Sequence, residues 1–145
     1  MKHSISPSLQ FILDLTKAKT VAGRRFDSRL GGGIGLNEFM ILFTLSESGN
    51  EKMRRIDLAQ VVGLTASGVT RLLAPMEKIG LIQREVNPDD ARISYVALAS
   101  GGKRILSEQL EKAELLATDL IPASLTKRLE SASSLLSEIS KNGNP

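Results

Sequence analysis

The chain has 145 residues, 41% of them apolar, with four Phe, one Tyr and no Trp, a length that suits one domain with its own core. It contains no Cys and a single His, which excludes disulfides, thiolate metal sites, thiol redox sensing and a Ser-His-Asp triad. The net charge of +3 permits a nucleic-acid partner without requiring one. No apolar run is long enough to cross a membrane and no export signal is recognisable, so we expect a cytoplasmic protein without a membrane partner.

The first part of the chain predicts two helices separated by a glycine-rich break. Apolar residues recur at helical spacing over residues 8–29. The run Gly-Gly-Gly-Ile-Gly at residues 31–35 cannot stay helical, because consecutive glycines cost too much backbone entropy. It is not a nucleotide-binding loop either, since it lacks a Gly-Lys-Ser/Thr ending and follows a helix rather than a strand. A second helix is predicted from residue 36, with Asn37 as its N-cap, and its nearly uniform apolar character indicates a buried central position.

Residues 54–79 read as two helices joined by a tight turn. The first, over residues 54–62, is predicted to point Ile56, Ala59 and Val62 inward. In the segment Gly63-Leu64-Thr65 that follows, the glycine is predicted to end the first helix and the threonine to cap the second. The leucine between them is predicted to pack its apolar side chain inward at the turn. The second helix is predicted from Ala66 to about Ile79, and the residues expected on its buried face are Val69, Leu72, Leu73, Met76 and Ile79.

The hydrophobic period then changes from about 3.6 to 2. Residues 81–86 and 93–99 alternate like half-buried strands, and residues 87–92 between them are rich in turn formers, so the pair predicts a β-hairpin. After Ser100-Gly101-Gly102 a helix is predicted from Lys103 to about Leu120, and a last helix has Pro122 in its first turn. The predicted fold is mainly α with a small β-hairpin wing, which is the order of a winged helix-turn-helix.

Several side chains of this segment have the chemistry to contact DNA. A helix that lies in a major groove needs small, hydrogen-bonding residues at its outward N-terminal positions, and residues 65–71 supply them. On the hairpin, an arginine can reach phosphate or a minor groove, and one of the two arginines at the start of the first helix can face phosphate. The DNA-binding residues that this chemistry predicts are Thr65, Ala66, Ser67, Gly68, Thr70, Arg71, Arg84, Arg92, Arg54 and Arg55.

In this region the sequence resembles the MarR (multiple antibiotic resistance regulator) family. The resemblance covers residues 36–102 and includes Gly63-Leu64-Thr65-Ala66-Ser67-Gly68-Val69-Thr70-Arg71, Glu77-Lys78-Ile79-Gly80-Leu81-Ile82 and Asn87-Pro88-Asp89-Asp90-Ala91-Arg92. It implies a DNA-binding lobe over residues 36–102, with residues 1–35 and 103–145 forming dimerisation helices of the same continuous domain. It also implies that Asp90 orients Arg92 for insertion into the minor groove.

The sequence departs from the family pattern at three places. Ala91 stands where an arginine is common, which removes one cation from the wing. Pro75 lies inside the second helix of the turn motif and removes a backbone hydrogen bond to residue 71, so a kink is expected there. The glycines at 31–35 form an unusually flexible junction beside the crevice in which the family binds ligands.

These observations predict a homodimeric, sequence-specific regulator of transcription, expected to be a repressor, that binds a pseudo-palindromic operator on double-stranded DNA. The resemblance further implies release from DNA by a small aromatic or anionic ligand, at residues that the sequence does not identify. No cofactor, metal or catalytic residue is expected, and no pair of acids lies in an evident apolar setting, so the protein is not expected to be an enzyme. The alternative is a winged-helix module that binds another protein and not DNA, because residues 51–100 carry seven basic and six acidic residues.

Overall fold

A computed structural model describes residues 2–143 of the chain. Within them the structure is mainly helical, with one small sheet whose first strand precedes the third helix and whose other two strands follow the fourth. The helices are α1 (Pro7–Arg29), α2 (Leu36–Ser46), α3 (Arg55–Val62), α4 (Ala66–Lys78), α5 (Ser100–Leu120) and α6 (Thr126–Asn142), and the strands are β1 (Lys52–Arg54), β2 (Ile82–Val86) and β3 (Ser94–Leu98). The mainly α architecture with a hairpin wing is confirmed.

The sheet has three antiparallel strands in the order β1-β3-β2. The predicted hairpin is present, with Ile82 opposite Leu98 and Val86 opposite Ser94. The strand β1 was not predicted, because three residues are too few to show an alternating pattern. It pairs Lys52 with Ala97 on the other edge of β3 and so ties the start of α3 to the hairpin.

Two hydrophobic clusters hold these elements together. The larger one lies where α2, α3, α4 and the sheet meet, and its fully buried side chains include Ile41, Leu42, Leu45, Leu58 and Val69. This confirms α2 as a buried central helix. The smaller cluster joins the end of α1 to α5 through Phe26, Leu30, Ala113 and Leu116. No residue of α6 is buried, and Phe26 is the only buried residue of α1.

The glycine-rich break between α1 and α2 is confirmed, and side chains of α1 and α5 hold it. Gln109 Oε1 of α5 accepts a hydrogen bond from Gly31 N at 2.8 Å. Gly32 and Gly33 have φ values of 74° and 76°, a region that few other residues adopt.

The predicted cap of α2 by Asn37 is wrong, because Gly35 is the N-cap and Asn37 lies inside the first turn of the helix. Asp27 of α1 supplies the capping side chain, since its Oδ1 accepts a hydrogen bond from Leu36 N at 2.9 Å.

Some predicted burial and boundaries are also wrong. The sequence predicts that Ile56 and Ile79 are buried, but their exposed fractions are 69% and 59%. In the first helix of the motif, Leu58 is fully buried instead of Ile56. Helix α5 begins at Ser100 rather than Lys103. Pro122 precedes a short 3-10 turn, and α6 begins only at Thr126.

Gly101 and Gly102 therefore lie inside the first turn of α5. They are tolerated there because the backbone of the α4–β2 turn passes directly against them. A Cβ at Gly101 would lie 2.5 Å from the carbonyl oxygen of Gly80, and a Cβ at Gly102 would overlap that of Leu81.

Candidate nucleic-acid interface

The turn between α3 and α4 has the geometry that the sequence predicts. Gly63 adopts the left-handed conformation, with φ 71°, and Leu64 N donates to Ala59 O at 3.0 Å, which closes the helix as in a Schellman motif. Leu64 packs against the main core. Thr65 Oγ1 accepts from Gly68 N at 3.0 Å, so it is the N-cap of α4.

The predicted recognition helix α4 offers one exposed and one buried face. Val69, Leu73 and Met76 are buried against the core. Within the predicted set, Ala66, Ser67, Thr70 and Arg71 are exposed and Gly68 is half-buried. Pro75 lies on the exposed side, and α4 continues through it to Lys78. The predicted kink at Pro75 stays a prediction.

The structure brings Arg55 into contact with the recognition helix. Its Nη1 donates to Thr70 Oγ1 at 3.1 Å. Arg55 also lines a small crevice together with Glu77 and Arg84, so the predicted phosphate contacts on α3 and β2 lie beside α4. Arg54, at the end of β1, is exposed and precedes α3 directly.

The wing loop, residues 87–92, holds its arginine through Asp90. Arg92 Nε and Nη2 donate to the two carboxylate oxygens of Asp90 at 3.0 and 3.1 Å, and Arg92 N donates to Oδ1 at 3.0 Å. The side-chain and backbone hydrogen bonds from Arg92 lower the pKa of Asp90, and the carboxylate raises the pKa of Arg92. The pair thus stays ionised near neutral pH, while the Arg92 side chain is 90% exposed.

Asn87 organises the same loop, and it was missing from the predicted site. Its Oδ1 accepts from Asp89 N at 2.8 Å and from Asp90 N at 3.2 Å, while its Nδ2 donates to Tyr95 Oη at 3.2 Å. An Asn two residues before Asp89 is a known turn signal, so the first two bonds could have been predicted. The bond to Tyr95 could not, because it depends on the register of β3.

Tyr95 connects the wing loop to the other edge of the sheet. Lys52 Nζ lies 4.9 Å from the centre of the Tyr95 ring and 3.6 Å from Glu85 Oε1. These contacts join β1, β2 and β3 behind the wing. Through them the sheet holds the position of the wing loop.

Within residues 2–143 the structure contains no cluster of His, Asp and Glu that could hold a metal ion. In the same residues, no helix has the length and apolar character needed to span a bilayer. The site therefore consists of a capped recognition helix, flanking arginines and a wing with one exposed cation.

Two helices joined by this turn and followed by a wing define the winged helix-turn-helix class of proteins. Residues 34–94 match the MarR family. Over 78 residues the chain is 32% identical to the transcriptional repressor MprA of Escherichia coli K12, a match that covers 52% of this chain and 44% of MprA. The chain thus matches less than half the length of that curated relative.

A longer alignment and a solved structure extend the comparison beyond these residues. The chain is 27% identical to the HTH-type transcriptional regulator YdgJ of Bacillus subtilis, covering 85% of this chain and 73% of that protein. Sco3205 of Streptomyces coelicolor, a MarR family regulator solved in complex with DNA, superposes with a TM-score of 0.85 at 21% identity, covering 100% of this chain and 93% of Sco3205. In sequence over residues 34–94, and in fold, the chain is therefore similar to proteins of the MarR family.

Proposed function

We propose that this protein regulates transcription by binding duplex DNA through α4 and the wing loop. The observation that carries the proposal is the combination of a capped helix α4 with an exposed N-terminal face and an exposed, ionised wing arginine that Asp90 holds in place. Helix N-termini and arginines at a wing are the groups that bind phosphates and minor grooves. The matched relatives are named as transcription regulators, and we propose that this chain acts as a repressor, as MprA is named.

We further propose that the protein acts as a homodimer. Side chains of α1, α5 and α6 form apolar faces that the chain itself leaves uncovered; those exposed are Leu9, Phe11, Ile12, Leu13, Val21, Leu115, Leu129, Leu135 and Leu136. A helix without buried residues, such as α6, is marginal in water on its own, so an amphipathic helix of this kind needs a partner surface. We assign residues 1–35 and 103–145 to dimerisation, and residues 36–102 to DNA binding.

Release from DNA by a small aromatic or anionic ligand stays a prediction. An open cavity of about 510 Å³ adjoins α1 and α5, with mainly apolar walls and one charged residue of each sign, Lys17 and Asp14, in its lining. Its volume is in the range of small-molecule sites. Because it opens beside the uncovered face of α1, a partner subunit would form part of its wall.

The variant Arg92→Ala tests the wing assignment. We expect its affinity for duplex DNA to fall about tenfold, and the slope of log K against log salt to become shallower by about one unit, because one cation is lost from the interface. The affinity is measured by fluorescence anisotropy over a salt series. The matched control is Arg128→Ala, an exposed arginine on α6, which should bind like the wild type.

Equal affinities for Arg92→Ala and the wild type would contradict the role of the wing. Affinity for duplex that is insensitive to salt in the wild type itself would contradict DNA binding altogether and would favour the alternative, a protein-binding winged helix.

A further inference from the structure

The Thr70 hydroxyl, on the exposed face of α4, is already committed inside the protein. Thr70 Oγ1 donates to Ala66 O at 3.0 Å and accepts from Arg55 Nη1 at 3.1 Å. A hydroxyl has one hydrogen to donate, and here the helix backbone takes it. Thr70 therefore has no proton left to donate to an acceptor on a base.

The two hydrogen bonds also fix the rotamer of Thr70. A threonine in a helix divides between two χ1 states, because its hydroxyl can bond back to the preceding turn. The bond to Ala66 selects one state, and Arg55 secures it from the neighbouring helix. The atom of this exposed side chain that remains without a polar partner is the Cγ2 methyl.

Building on the DNA-binding function proposed above, we propose that Thr70 recognises a thymine through contact between its methyl group and the C5-methyl of the base. Thymine is the base that presents a methyl group in the major groove, and a threonine methyl is a suitable apolar partner. Arg55 is then a positioning residue, since it holds the hydroxyl of Thr70 away from the base.

Two substitutions at Thr70 separate its two groups. Thr70→Val keeps the shape and a methyl but removes the hydroxyl, whereas Thr70→Ser keeps the hydroxyl and removes the methyl. The probe is a duplex that the wild type selects from a random pool, in which each thymine of a half-site is replaced in turn by deoxyuridine. Deoxyuridine lacks only the C5-methyl. For each protein, the dissociation constant of the deoxyuridine duplex divided by that of the thymine duplex, called here the deoxyuridine ratio, therefore isolates the methyl contact.

We expect one thymine per half-site at which deoxyuridine weakens binding by the wild type and by Thr70→Val about fourfold, the factor that corresponds to one buried methyl group. For Thr70→Ser the ratio should be close to one. Because each protein is compared with itself, a general loss of affinity or stability cancels. The inference is overturned if this ratio falls to about one in Thr70→Val, or if it stays at about four in Thr70→Ser. It is also overturned if deoxyuridine does not weaken binding by the wild type at any thymine.

The positioning role of Arg55 has its own matched pair. Arg55→Ala should lower the deoxyuridine ratio towards that of Thr70→Ser, while Arg54→Ala, its exposed neighbour, should leave the ratio unchanged. An unchanged ratio in Arg55→Ala overturns the positioning role. A wild type that binds no duplex refutes the proposed function and this inference together, whereas a wild type that binds without a methyl-sensitive position refutes this inference alone.

Discussion

At the scale of single residues, the presentation of Arg92 depends on a side chain that need not touch a partner. Asn87 closes the wing loop by accepting two backbone N–H groups, one of them from Asp90. Asp90 in turn holds Arg92 through three hydrogen bonds. An exposed ion pair of this kind contributes little by itself, so the loop geometry around it decides where the arginine points.

Asn87→Ala is therefore expected to weaken DNA binding through Arg92. The substitution leaves the N–H groups of Asp89 and Asp90 without their acceptor and detaches the loop from Tyr95. We expect a several-fold loss of affinity in the wild-type background and no further loss in an Arg92→Ala background, as a double-mutant cycle measures. Tyr95→Phe, which removes only the acceptor of Asn87 Nδ2, should have a smaller effect. An equal loss in both backgrounds would contradict the positioning role of Asn87.

At the scale of elements, helices with a regular hydrophobic period were predictable, and elements defined by their neighbours were not. The recognition helix and the hairpin follow directly from their periods and from Gly63, Thr65 and the turn formers of the wing loop. Strand β1 has no period of its own and exists because β3 offers an open edge. Ile56 illustrates the other limit. Ala59 and Val62 are buried as predicted, but on a helix of eight residues the sequence does not decide which apolar neighbour joins them, and packing buried Leu58 rather than Ile56.

The start of α5 shows the same dependence on tertiary context. Two glycines have low helix propensity, so the sequence predicts a helix only after Gly102. In the structure they are helical because the backbone at Gly80 and Leu81 leaves no room for a Cβ. This close approach fixes α5 against the turn that follows the recognition helix, and so joins the DNA-binding lobe to a predicted dimerisation helix.

Gly102→Ala tests this junction. We expect the free energy of unfolding, measured by urea denaturation, to fall by about 1–3 kcal/mol, because the added methyl must displace backbone. The matched control is Gly23→Ala in α1, where nothing lies within 4 Å of the added carbon. That variant should be stabilised by about 0.5–1 kcal/mol, because alanine favours the helix. A Gly102→Ala protein as stable as the wild type would contradict the close packing described here.

At the scale of the whole molecule, the middle of the chain and its terminal helices differ in how much apolar surface they bury within one protomer. The lobe formed by α2, α3, α4 and the sheet has a continuous buried cluster. The ends of the chain do not, since α1 contributes only Phe26 to buried structure and α6 contributes no residue. We therefore expect two chains to pair through these helices and to hold two recognition helices at a fixed separation. A two-fold arrangement of this kind requires a DNA site with matching symmetry.

The most direct measurement of the central claim is selection of bound sequences from a random pool of duplex DNA by the full-length protein. Our prediction is enrichment of a pseudo-palindrome with half-site centres about one helical turn, roughly 10–11 base pairs, apart, bound by two protomers. Recovery of no enriched sequence, or of a single asymmetric half-site bound by one protomer, would contradict it.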